Sequence, residues 1–284
     1  MHPPYATLIA EWRALRVMRD VALREVACVG ASRTLLVGEI VGPPGAPVVA
    51  LSAGVHGDEP AGPWALLSIV RDGLLDGAFS YRIWPCTNPT GYALGTRANA
   101  EGHDINRSFH RGGTTPESRA MIVSNRDRHF ALSLDLHEDF ESAGYYAYEP
   151  VRPGEMPLFG GPMVAALDDV GFPVQRFDDE AFDIGYPPEA RHLRTLERGR
   201  IHNDPDAERQ HFRDEMPYSI GLLARAARYA ITLETPRGRA WDDRIAMHRT
   251  AVATIVGELA TRMSVVGQNG IGYGPTADDI SASQ

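Results

Sequence analysis

The stretch "SAGVHGDEPAG", residues 52–62, follows the apolar run "PVVAL" and sets one histidine and two acids in a turn of small residues. The run before it reads as a buried strand. The segment after it, "PWALLSIVRDGLL", has a proline at its start, apolar residues at three-to-four spacing and a closing Gly73, which together predict a helix. Strand, polar turn, helix is the βα unit, and in α/β folds ligands gather outside the carboxyl ends of the strands. Two later runs repeat the pattern: "FALSLDLHED" ends in Asp135, His137 and Glu138, and "RYAITLETPRG" ends in Glu234. Three strands that each end in a metal-capable or proton-carrying side chain predict one crevice.

The rest of the chain fits around that crevice. Its 284 residues with 43% hydrophobic content suit one large α/β domain. Residues 5–21 carry Leu8, Ile9, Trp12, Leu15 and Met18 at helical spacing, and "AMHRTAVATIVGELATRM" predicts a second amphipathic helix near the end. "RTLLVGEIVG" and "APVVALSAG", joined by "GPPG", carry a hairpin signal, and "SYRIWPCTNPTGY" reads as a short strand ending in turn residues. Residues 96–116 form a long polar stretch, which inside a compact domain is usually functional or disordered. Residues 150–217, rich in Pro, Asp and Arg, read as helices and loops over the site, and residues 271–284 as a flexible tail. A net charge of −9 without a clustered basic stripe argues against a nucleic-acid partner. Two cysteines, no apolar run of membrane-spanning length and no signal-like start favour a soluble, cytoplasmic protein.

Taken one at a time, the chemical candidates are ambiguous. His56 and Glu59, at H-x-x-E spacing, can reach one ion from a tight turn, and zinc in hydrolytic sites takes sets such as two His and one Glu. A lone H-x-x-E is more often a solvated loop, and a lone strand-end His more often a satisfied polar residue. Glu234 suits a general base beside a metal-activated water, and equally an ion pair with Arg237. Arg97, Asn106 and Arg107 suit carboxylate binding, although any single arginine is commonly surface charge. Asp104 and Asp135 could each orient a ligand histidine, and spacing does not decide between them.

Taken in order, "HGDE", the stretch from "NPTGY" to "GHDINRSF", "DLH" and "TLETP" resemble the motif series of the zinc carboxypeptidase superfamily, which includes the succinylglutamate desuccinylase and aspartoacylase branch. The resemblance runs over about residues 48–238. It implies one catalytic domain over residues 1–270, a mixed sheet of about eight strands between helices, and one zinc ion held by His56, Glu59 and His137. It further implies Glu234 as general base, Asn106 and Arg107 as the pair that binds the substrate's carboxylate, Arg97 as the group that stabilises the oxyanion, and Asp104 as the acid behind the first ligand histidine. The implied reaction is removal of the C-terminal residue of a peptide; the alternative is deacylation of an N-acyl amino acid by the same machinery. A binding module with lost activity predicts damage somewhere in the set, yet every expected polar group is present. The substrate-side tyrosine of the digestive enzymes has only Tyr186 and Tyr218 as candidates. Side-chain preference and oligomeric state are not encoded in these motifs.

Overall fold

The computed structural model describes residues 2–29, 33–177, 194–223 and 225–268, so the 271–284 tail and Tyr186 lie outside the described residues. The chain opens with helix α1 (Tyr5–Met18) and strands β1 (Ala22–Val29), β2 (Arg33–Ile40) and β3 (Val48–Ala53). Helix α2 (Ala61–Asp72), strand β4 (Ser80–Trp84), helix α3 (Pro89–Leu94) and a 3-10 turn at Ile105–Arg107 follow, then α4 (Pro116–Ser124), β5 (Leu132–Asp139), β6 (Tyr146–Pro150) and α5 (Gly160–Val170). The last part holds β7 (Arg194–Glu197), β8 (Arg200–Asn203), α6 (Pro205–His211), α7 (Tyr218–Leu223), β9 (Ala230–Pro236) and α8 (Trp241–Gln268). The result is a single α/β domain. Among the described residues nine strands, one more than the motif series implies, form one mixed sheet in the order β1-β2-β4-β3-β5-β9-β6-β8-β7.

Strands β4, β3, β5 and β9 run parallel at the centre of the sheet, with Ser52 opposite Asp135 and His137 opposite Glu234. Central parallel strands are covered on both faces, which is why these runs are almost continuously apolar before their polar ends. Leu51, Leu134 and Leu233 are each fully buried. On α8, Met247, Ala251, Val252, Ile255, Val256 and Leu259 are buried at helical spacing and pack with α2 and α5 on one side of the sheet. Helices α4 and α7 contribute Met121, Ile220 and Leu222 to a second apolar cluster with Leu35, Val37 and Ala50. Among the described residues no helix is long and apolar enough to cross a membrane.

The hairpin expected across "GPPG" does not form. Strand β2 pairs antiparallel with β1 and β4, and β4 lies between β2 and β3. Charge explains the choice: Glu39 on β2 stands directly opposite Arg82 on β4, and the fully buried Arg82 donates to Glu39, to Asn125 Oδ1 at 2.5 Å and to the Ser124 carbonyl at 2.8 Å. Opposite charges facing each other across a strand pair stabilise it. The "GPPG" turn instead crosses the start of β4, where the Gly42 amide donates to Ser80 Oγ at 3.0 Å.

The turn between β3 and α2 is pressed against α3. A Cβ on Gly57 would lie 2.0 Å from the Gly91 carbonyl carbon and 2.2 Å from the Tyr92 nitrogen, so only glycine lets the two backbones approach this closely. Gly73 closes α2 with φ 69°, as its position after the apolar run predicts. Gly57→Ala is expected to lower stability by about 1–3 kcal/mol, as overpacking of a close-packed interior generally does; urea denaturation of the variant against the parent checks this.

Candidate functional site

Three strand ends converge at one side of the sheet. Glu59, 4% exposed, directs its two carboxylate oxygens at two imidazoles: His56 Nδ1 lies 2.6 Å from Oε1 and His137 Nδ1 lies 2.9 Å from Oε2. The far nitrogen of each ring faces an acid. His137 Nε2 is 3.0 Å from Asp135 Oδ2, and His56 Nε2 is 3.4 Å from Asp104 Oδ1. An ionised carboxylate only accepts, so each Nδ1 that bonds Glu59 donates a proton to it, and a cation bound among the three residues would take the place of those protons. Both Nδ1 atoms meet Glu59 at one locus, and ligand atoms of the three residues lie within 4.8 Å of one another.

The electrostatics of this cluster ask for positive charge. Burial alone would raise the Glu59 carboxyl, but the charges of His56 and His137 outweigh it and hold the group below the usual carboxylate range. Burial would likewise lower His137, yet Asp135, Glu59 and Glu234 raise it well above the ordinary histidine range. For Glu234, burial raises the carboxyl well above its usual range; His137 opposes the rise and Glu59 adds to it. Two nitrogens and one carboxylate, enclosed by further acids, fit a divalent cation of the borderline class that imidazole and carboxylate ligands prefer.

Around the cluster lies a cleft of about 350 Å³. Asp104 organises its near wall: it accepts from Arg97 Nε at 3.0 Å and from the Asn106 amide at 2.8 Å. This places Arg97 Nη1 3.4 Å from His56 Nδ1 and 3.9 Å from Glu59 Oε1. Asn106 and Arg107 face the same cleft. Asn106 Oδ1 accepts from the Tyr218 amide at 3.0 Å, and Arg107 Nη1 donates to the Asn106 carbonyl at 3.1 Å. Among the described residues the Arg107 guanidinium makes no ion pair with an acid.

The comparisons with known proteins bear on the fold. The family profile described as the succinylglutamate desuccinylase/aspartoacylase catalytic domain matches residues 45–179. A proposed metallopeptidase of Shewanella denitrificans OS217 superposes with a TM-score of 0.70 at 21% identity, over 90% of this chain and 90% of that one. A second, of Shewanella amazonensis SB2B, gives 0.68 at 25% identity over 90% and 92%. The carboxypeptidase A of Helicoverpa armigera gives 0.57 at 18% identity over 93% and 73%. The chain shares the fold of these neighbours, and the profile matches just under half of it. No curated protein sequence matches it.

Within this zinc carboxypeptidase-like fold, all nine sequence candidates fall around one cleft: His56, Glu59, His137, Glu234, Arg97, Asn106 and Arg107 line it, and Asp104 and Asp135 stand behind the histidines. Asp135 is braced in turn by Ser52 Oγ at 2.7 Å, its neighbour across the strand register. Arg237 does not pair with Glu234. It bonds Asp58 Oδ2 at 3.2 Å and lies over the Phe140 ring, which leaves the Glu234 carboxyl to the cleft. Tyr218 does not face the cleft, because its ring is buried against Phe109 in the apolar cluster under α7. Sequence reading missed Tyr146 and Tyr148, which do line the cleft. Tyr146 stands opposite Glu234 across the β6–β9 register and donates to Asp139 Oδ2 at 2.9 Å. Alternation in "YYAYEP" is the signal that could have found them.

A cation bound by the folded chain alone stabilises it by mass action, about 2.7 kcal/mol at a hundredfold excess over Kd. Adding a divalent metal to chelator-treated protein is therefore expected to raise Tm by about 5–10 °C, and the same addition to Glu59→Gln is expected to give little or no rise. A scanning fluorimetry series over several metals checks both.

Proposed function

We propose that the protein is a zinc-dependent carboxypeptidase, a hydrolase of the amide bond next to a peptide's free C-terminal carboxylate. The observation that carries the reading is the pairing, in one cleft, of an acid-free Arg107 with a Glu234 carboxyl that lies in register with His137. His56, Glu59 and His137 would hold the zinc ion, which when bound would polarise a water molecule and the scissile carbonyl. Each side chain then has a task that its surroundings support. Arg107 binds the substrate carboxylate through its guanidinium, joined by the Nδ2 hydrogens of Asn106. Arg97, fixed at Nε by Asp104, offers Nη1 to the carbonyl oxygen as negative charge develops there. Glu234 accepts a proton from the attacking water at its carboxylate and returns it to the leaving nitrogen.

A second reading keeps these roles and replaces the peptide by an N-acyl amino acid. It is favoured by the family profile over residues 45–179 and by a cleft whose volume sits near the lower end for small-molecule sites. A panel of short peptides with free and amidated C-termini, set beside N-acetyl and N-succinyl amino acids with and without chelator, separates the two by kcat/KM.

Glu234→Gln is expected to retain metal while turnover falls by about 10²–10⁴-fold; metal analysis beside the rate measurement tests this, and undiminished hydrolysis would sink the mechanism. Arg107→Met is expected to raise KM about 10- to 100-fold, the loss of a charge-assisted hydrogen bond of about 1.5–3 kcal/mol. Wild-type protein that cleaves amidated and free peptides equally would remove Arg107 from its role.

A further inference from the structure

We propose that His248 is a positioning residue for this metal centre, setting the place of His137 from the opposite side of the sheet. The inference rests on the functional reading above. His248 is fully buried on α8, and its Nε2 lies 3.1 Å from the carbonyl oxygen of His137. A carbonyl only accepts, so Nε2 carries the proton and Nδ1 is free to accept from Tyr145 Oη at 2.9 Å. The two rings meet edge to face, with centroids 5.5 Å apart.

The span of these two bonds is what distinguishes His248 from ordinary packing. His137 is on β5 and Tyr145 immediately precedes β6, while β9 runs between those strands and carries Glu234 opposite both His137 and Tyr146. One imidazole thus bridges the two strands that flank the proposed base. Four residues earlier on the helix, Arg244 donates to the buried Glu138 carboxylate, whose Oε1 accepts from the Ala61 amide at 2.6 Å. Ala61 opens α2 directly after the turn that carries His56 and Glu59, and the Glu138 amide donates to Glu59 Oε2 at 3.2 Å. The buried face of α8 is apolar from Ala251 to Leu259, and near the strand ends Arg244 and His248 join the apolar Met247 on it. A helix needed only for core packing would continue the apolar face, since burying an imidazole is unfavourable unless both nitrogens are satisfied.

The test compares wild type with His248→Ala, His248→Gln and Tyr145→Phe. The readouts are the zinc dissociation constant from competition with a chromophoric chelator, the visible spectrum of the cobalt(II) protein, and Tm of each metal-free form. Loss of a group that orients a ligand commonly costs 10–100-fold in metal affinity. His248→Ala is expected to fall in that range with displaced cobalt bands. His248→Gln, whose amide can still donate to the His137 carbonyl, is expected to recover most of the affinity, with Tyr145→Phe between; if His248→Ala does not fold, the other two variants decide. Zinc affinity and cobalt bands equal to wild type in the folded variants, with only Tm lowered, would overturn the inference and leave the functional reading intact. A wild-type protein that binds no zinc would overturn both.

Discussion

A carboxylate buried between two imidazoles governs the architecture of this protein. Glu59 is nearly inaccessible to water, and its charge is tolerable only because His56 and His137 meet its two oxygens. That meeting needs β3 and β5 side by side and parallel, so that the turn after one and the last residues of the other reach the same point. It needs Gly57, because the turn can bend back only where the Gly91 backbone can approach. Behind the rings stand two further acids, Asp135 at 3.0 Å from His137 Nε2 and Asp104 at 3.4 Å from His56 Nε2. Parallel register and small residues follow from one buried charge.

The distribution of arginines sorts the molecule into scaffold and cleft. Arg82 is spent on Glu39 and on the end of α4, Arg244 on Glu138, and Arg237 on Asp58. Each of these guanidinium groups satisfies an acid or a carbonyl that the fold has removed from water. Arg97 is intermediate, because Asp104 holds its Nε and leaves Nη1 beside the ligand cluster. Arg107 alone among the cleft arginines has no acid partner in the described residues. In a chain of net charge −9 an unpaired cation in a cleft is a marked asymmetry.

Much of this was legible in sequence for a local reason. The β3 turn, the end of β5 and the end of β9 each place chemical side chains immediately after an apolar run, so strand and candidate residue can be read in one window. The same locality explains the errors. The "GPPG" signal is genuine turn chemistry, yet the strand that fills the place beside β2 comes 40 residues later, and the pairing is decided by Glu39 with Arg82. Tyr146 and Tyr148 escaped notice because their value comes from lying across the sheet from Glu234 and Thr232, a fact of register rather than of motif. His248 carried no signal at all: in sequence it is one polar residue in an amphipathic helix, and only the tertiary structure sets it under His137. Tyr218 was sought in the cleft for its hydroxyl, whereas the group that matters there is its backbone amide.

That amide shows how a single side chain can serve scaffold and cleft together. Asn106 has two acceptor lone pairs on one atom and two donor hydrogens on another. The Tyr218 amide takes the acceptor side and so ties the loop between Asp104 and Ser108 to the start of α7. Only Nδ2 is then left to face the cleft. An aspartate here would keep the bond to Tyr218 and turn negative charge toward the cleft; a leucine would fill the volume and lose both functions. The asparagine therefore orients itself, its structural bond fixing which end of the amide faces the cleft beside the Arg107 guanidinium.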